Sequence, residues 1–186
     1  MQINSKSAAT ALAPLFFAGL ALGLSGCDEG PRTQQIYDAP HGSRPALVAA
    51  VMNGNVVPIH VVNSIASSPE EVAGQYAGWL TEQDAFLKFE FSSDEIPAPD
   101  TTPWVLILHD TPAGYTGISA CQGTGYDPAS NLAETVFRTI ICDESGRLVE
   151  VLAVIPRDGT DLDAAYPALL RETARQMITE EDATDR

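Results

Sequence analysis

The chain has 186 residues, 25 of them acidic against 10 basic, and a formal net charge of -15 at pH 7. Such a surface is repelled by nucleic acid and by anionic head groups, so neither is an expected partner. The length suits one domain with tails and excludes two full domains.

Residues 1–26 have the layout of a secretory signal: a short polar start with Lys6, an apolar run from about Ala8 to Leu24, then small residues before a cleavage point. The order Leu24, Ser25, Gly26, Cys27 resembles the lipobox of bacterial lipoproteins. That resemblance covers the first 27 residues and implies a cut before Cys27, which then carries a diacylglyceryl group and usually a third acyl chain. Each buried methylene contributes about 0.8 kcal/mol, so two or three chains hold a protein at a bilayer without a spanning helix. An ordinary signal releasing a soluble periplasmic protein, or an uncleaved anchor, are the alternatives. Asp28 follows Cys27 directly, and in lipoproteins of enteric bacteria that pattern implies retention at the inner membrane. Without residues 1–26 the chain keeps every acid and loses Lys6, so lipid rather than charge must hold it to the envelope, facing the periplasm.

Residues 27–42 contain Gly30, Pro31, Pro40 and Gly42 with no apolar period, the composition of a flexible tether. Residues 43–179 read as a single α+β domain and 180–186 as a frayed acidic tail. Ser43 is placed to cap a short helix through Ala46, Leu47, Ala50 and Val51, stopped by Gly54. The valine-rich run Asn55 to Asn63 predicts a strand, and Pro58 within it predicts an edge or a bulge. Ser68-Pro69-Glu70-Glu71 is a helix start with a capping box and proline at the first position. Val72, Tyr76, Trp79 and Leu80 share a face of that helix, and Gly74 and Gly78 predict a close approach to the sheet.

Leu87, Phe89 and Phe91 alternate with Lys88 and Glu90, a strand with one dry face. Trp104 to Leu108 is an unbroken apolar run suited to a central strand. Tyr115 to Cys121 reads as a weaker strand. Thr135 to Asp143 and Arg147 to Arg157 predict a hairpin across Ser145-Gly146. A last helix from about Ala164 to Ile178 has Asp163 as cap and a stripe of Tyr166, Leu169, Leu170, Ala174, Met177 and Ile178.

With Cys27 assigned to lipid, Cys121 and Cys142 remain, and an even pair outside the cytosol is most simply a disulfide. Two buried free thiols, or a redox or metal pair, are the rival readings, and no C-x-x-C spacing supports the last. A simple hairpin through the intervening loop would set the two cysteines roughly 20 Å apart, whereas a disulfide needs Cα atoms within about 7 Å. The disulfide therefore excludes that hairpin. The order of elements predicts a two-layer α+β sandwich, a mixed sheet of about five strands with two or three helices mainly on one face, in which Asn55 to Phe91 forms a strand, helix, parallel strand crossover. The body resembles small exported proteins of Gram-negative bacteria that bring no known activity, so no site residue is carried over.

Gly117-Ile118-Ser119-Ala120-Cys121 has the first glycine and the serine of a nucleophile elbow, with Cys121 where the second glycine belongs. His109 and Asp110 would complete a periplasmic hydrolase or small-ligand site around Ser119. His41, His60 and His109 are too scattered for a metal set. Gly123-Thr124-Gly125 lacks a dinucleotide context, and Asp127, Glu134 and Asp143 form no evident acid-base pair. No cofactor or metal is expected. Tyr37, Trp104, Tyr115 and Tyr126 stand near loops and could contact an envelope protein or glycan. The favoured reading is a non-catalytic binding or assembly-accessory domain, anchored to the bilayer through Cys27.

Overall fold

A computed structural model describes residues 30–65, 67–99, 102–129 and 133–178. Cys27, Asp28, the signal and the acidic tail lie outside the described residues. Ten elements follow in order: β1 (Arg32–Asp38), α1 (Arg44–Met52), β2 (Val57–Val62), α2 (Pro69–Gln83), β3 (Phe89–Ser93), β4 (Trp104–His109), α3 (Gly117–Cys121), β5 (Glu134–Asp143), β6 (Gly146–Pro156) and α4 (Leu162–Met177). They make one six-stranded sheet in the order β1-β6-β5-β4-β2-β3. The strand β2 is parallel to β3 and to β4, and the remaining pairs are antiparallel. The fold is the expected α+β arrangement of a mixed sheet with its helices mainly on one face. Among the described residues no helix is long and apolar enough to cross a membrane.

The continuous apolar run of β4 has a direct cause, since both of its faces are covered. Val105 and Ile107 join the main core beneath α1, α2 and α4, including Leu47, Tyr76, Leu80 and Leu170. Trp104, Leu106 and Leu108 face a second, smaller cluster with Tyr115, Ala120 and Cys121. The Ser68 cap is present: its hydroxyl accepts from the Glu71 amide at 3.2 Å and Pro69 opens α2. The hairpin between β5 and β6 turns across Glu144-Ser145, one residue earlier than expected, and Gly146, paired with Asp143, opens β6 at φ +115°, a region that favours glycine.

Several expectations are corrected. Residues 32–38 are not tether but the edge strand β1, paired with β6 from Arg32↔Val154 to Asp38↔Val149. Its side chains are mostly exposed, so it carries no alternating apolar signal, as befits a polar edge. Of the two alternatives offered for Pro58 the edge is excluded, since β2 lies inside the sheet, while an irregularity in register against β3 does fall close by, between Ile59 and His60; Pro58 also precedes the first residue paired with β4. Residues 117–121 are helical, capped by Thr116 accepting from the Ser119 amide at 3.3 Å. Ser43 stands at the start of α1, yet its hydroxyl donates to the Met177 carbonyl at 2.6 Å, joining α1 to the end of α4. The cap of α4 is Asp161, two residues earlier than expected, accepting from Asp163 and Ala164. Gly74 and Gly78 face outward, and a Cβ at either would meet nothing within 4 Å; they mediate no close packing on the sheet.

Candidate functional site

The parallel neighbours β2 and β4 end at the same rim, with Val62 opposite Leu108. Just past each end stands a non-glycine residue at positive φ, Asn63 at 57° and Asp110 at 49°. Asn and Asp are the side chains that tolerate this region, and here they turn both chains out of the sheet together. The rim of parallel strands at their carboxyl ends is where open mixed sheets form clefts. A cleft of about 310 Å³ lies there, lined by Ile65, Thr135, Arg157, Leu162, Asp163 and Tyr166.

His109, fully buried, sits behind this cleft among Phe137 and Tyr166, with ring centroids 5.8 and 5.5 Å away. Its Nδ1 is 3.2 Å from the Val62 carbonyl and its Nε2 is 2.7 Å from the Tyr166 hydroxyl. A carbonyl can only accept, so Nδ1 carries the proton and Nε2 accepts from tyrosine. Burial lowers the His109 pKa to about 4 and raises that of Tyr166. Both groups are neutral at pH 7, and the chain of bonds pins α4 to β4 and β2. Asp110 accepts from Arg157 at 3.3 and 3.4 Å, and Arg157 Nε donates to Thr135 at 3.1 Å. The Tyr126 hydroxyl donates to the His109 carbonyl at 2.7 Å, and burial pushes its own pKa up to about 12. Thr135, Arg157 and Tyr166 on the cleft wall thus already have partners within the fold.

The two residues proposed as a hydrolytic pair are not brought together. Ser119 lies on α3, on the opposite face of the sheet, with its hydroxyl 3.3 Å from that of Thr116. His109 faces the main core, and both its ring nitrogens are engaged elsewhere. Cys121 and Cys142 do form a disulfide, with Cα atoms 5.5 Å apart. The geometric conflict noted from sequence is resolved because α3, rather than a strand, lays Cys121 over β5. Of the four aromatics offered as a contact surface, Trp104 and Tyr115 are buried. Tyr126 is half-buried against Tyr115 at 4.7 Å, and Tyr37 lies 4.1 Å beneath the Arg147 guanidinium. They pack internally and form no exposed patch. Glu134 pairs with Arg32, and Asp143 holds the Ser145 turn. Among the described residues no three His, Cys, Asp or Glu side chains could share a metal ion.

One ionic cluster escaped the sequence reading. Glu150, fully buried in β6, is held by both Arg138 and Arg147, and Arg138 also donates to Thr111 at 3.1 Å. Gly117 rests on this cluster: a Cβ there would lie 2.6 Å from Glu150 Oε2. The hairpin alone does not announce it: a register shift between Ile141 and Cys142 sets Glu150 opposite Ile140 and brings Arg138 onto its face as a diagonal neighbour. A larger cleft, about 380 Å³, opens at the other rim between α1, Thr102-Pro103 and Asp143-Glu144; its walls are alanines, asparagines and loop residues. A third, about 190 Å³, is lined by His60, Trp104 and Pro97, and there the buried Trp104 indole N–H has no partner among the described residues.

The chain is thus a two-layer α+β domain with a cleft at the carboxyl rim of its parallel strands. No family model and no curated protein matches it. Among solved structures it is similar to the PelC dodecamer from Paraburkholderia phytofirmans, with a TM-score of 0.44 and 10% identity over 81% of this chain and 99% of that chain. A single-substitution variant of the same PelC dodecamer gives a TM-score of 0.44 and 10% identity over 80% of this chain and 98% of that chain.

Proposed function

We propose that the chain is an envelope lipoprotein, held to a bacterial membrane by acylated Cys27, whose domain acts by binding or by assisting assembly and performs no covalent chemistry. The observation that carries this reading is the parity of the cysteines. Two of the three are joined across the fold, Cys121 to Cys142, which suits an oxidising compartment. The odd one, Cys27, is the one preceded by Leu24-Ser25-Gly26. The sealed His109 and the distant Ser119 support a binding rather than a catalytic role. The envelope partner would be a protein, with the bilayer engaged through the acyl chains.

The test is the intact mass of the natural product from a membrane fraction, beside Cys27→Ser. An acylated N-terminus at Cys27, with the serine variant released from membranes, is the expected result. A chain that begins at Met1, or a wild-type product that is soluble after processing, would overturn the reading.

A further inference from the structure

The rim that carries the cleft is also the rim where the chain arrives. Because β1 is antiparallel to β6 and β6 to β5, the start of β1 lies beside the end of β6 and the start of β5. Arg32 is opposite Val154, and its side chain reaches Glu134 at 3.3 Å. Thr135 and Arg157 come next to these residues in β5 and beyond β6, and both line the cleft. Five residue steps separate Cys27 from Arg32, and a chain spans at most about 3.3–3.6 Å per residue, or roughly 17 Å in all. A head-group layer is about 5–8 Å deep. Some 10 Å of slack remains, too little for the opposite rim, at the far end of the 11-residue β6, to turn to the bilayer.

We infer that this rim rests on the phospholipid surface, with Ile65 and Leu162 at its contact edge. The inference depends on the acylation of Cys27 proposed above. Ile65 and Leu162 are 38% and 37% exposed and flank the cleft, as apolar side chains do where they meet an interface. Arg32 and Arg157 at the rim are already matched by Glu134 and Asp110, which leaves Asp158, Asp161 and Asp163 as the local charge. The rim therefore favours a zwitterionic surface, and anionic lipid weakens the contact. The opposite rim, where Met52 is 74% and Phe86 49% exposed, is presented away from the membrane.

The experiment uses the full acylated protein in phosphatidylcholine vesicles, with p-benzoylphenylalanine replacing Ile65, Leu162, Met52 or Phe86 in turn, and intact mass confirming the acyl chains in each preparation. About tenfold more lipid adduct is expected at Ile65 and Leu162 than at Met52 and Phe86, since an interfacial contact reaches only about 5–10 Å. A flexible insert of about twenty Gly and Ser residues after Glu29 adds a mean reach near 25 Å and should erase the difference. Equal labelling at all four positions of acylated protein, adducts chiefly at Met52 and Phe86, or protein adducts in place of lipid at Leu162 would overturn the orientation while leaving the anchor intact. Absence of acyl chains would overturn both.

Discussion

Replacing Gly74 and Gly78 by alanine should stabilise the domain. Both lie inside the 15-residue helix α2, both are exposed, neither has a positive φ, and an added Cβ at either meets no atom within 4 Å. With no steric term and no lost contact, only the helix propensity difference remains, about 0.8–1.0 kcal/mol per site. The two together are worth about 1.5–2 kcal/mol, or some 4–7 °C in Tm for a domain of about 150 residues. Urea unfolding of the oxidised protein, followed by circular dichroism, should show a raised midpoint with an unchanged slope. Gly117→Ala in the same assay is the opposing control, because its Cβ would fall 2.6 Å from Glu150 Oε2 and 2.7 Å from Arg147 Cδ. Two arginines hold that carboxylate, so it cannot give way freely, and stability should drop. Should Gly74→Ala prove destabilising, the outward face of α2 must pack against something, and the reasoning fails.

Acid should weaken the fold in a window set by His109. Its folded pKa, about 4, lies below the unfolded value near 6.5. The unfolded chain thus takes up the proton first, so this contribution is complete above pH 6.5 and is lost as pH falls toward 4, by about 3 kcal/mol. His60, also lowered by burial, acts in the same direction. Comparing ΔG of unfolding at pH 7 and pH 5 for wild type and His109→Gln checks this, and parallel pH profiles would count against it. Reducing the Cys121–Cys142 bond, which closes a loop with a sequence separation of 21, should lower stability by about 3 kcal/mol. The urea midpoint with and without dithiothreitol measures this, and an unmoved midpoint would refute it.

Sequence reasoning reached those elements whose signal is local or whose burial is complete. Ser68-Pro69-Glu70-Glu71 carries its own cap, and Trp104 to Leu108 is apolar throughout because two layers cover it. It missed β1, whose exposed glutamines owe their place to pairing with β6 and to no pattern of their own. It also missed α3, because five residues are too few to display a helical period. His109 was picked out, but its partner is Tyr166, 57 residues later in the chain, a pairing that exists only once α4 has docked. The glycines of α2 were misjudged because spacing alone does not say which face of a helix is outward.

The placement of β1 bears on how the domain can be prepared for study. A recombinant version begun at Ser43, the apparent domain boundary, would remove the strand that covers β6 and bare its main-chain donors and acceptors from Val149 to Val154, a valine-rich stretch. Such a border is a template for edge-to-edge aggregation. Expression from Gly30 or earlier keeps the sheet closed on that side.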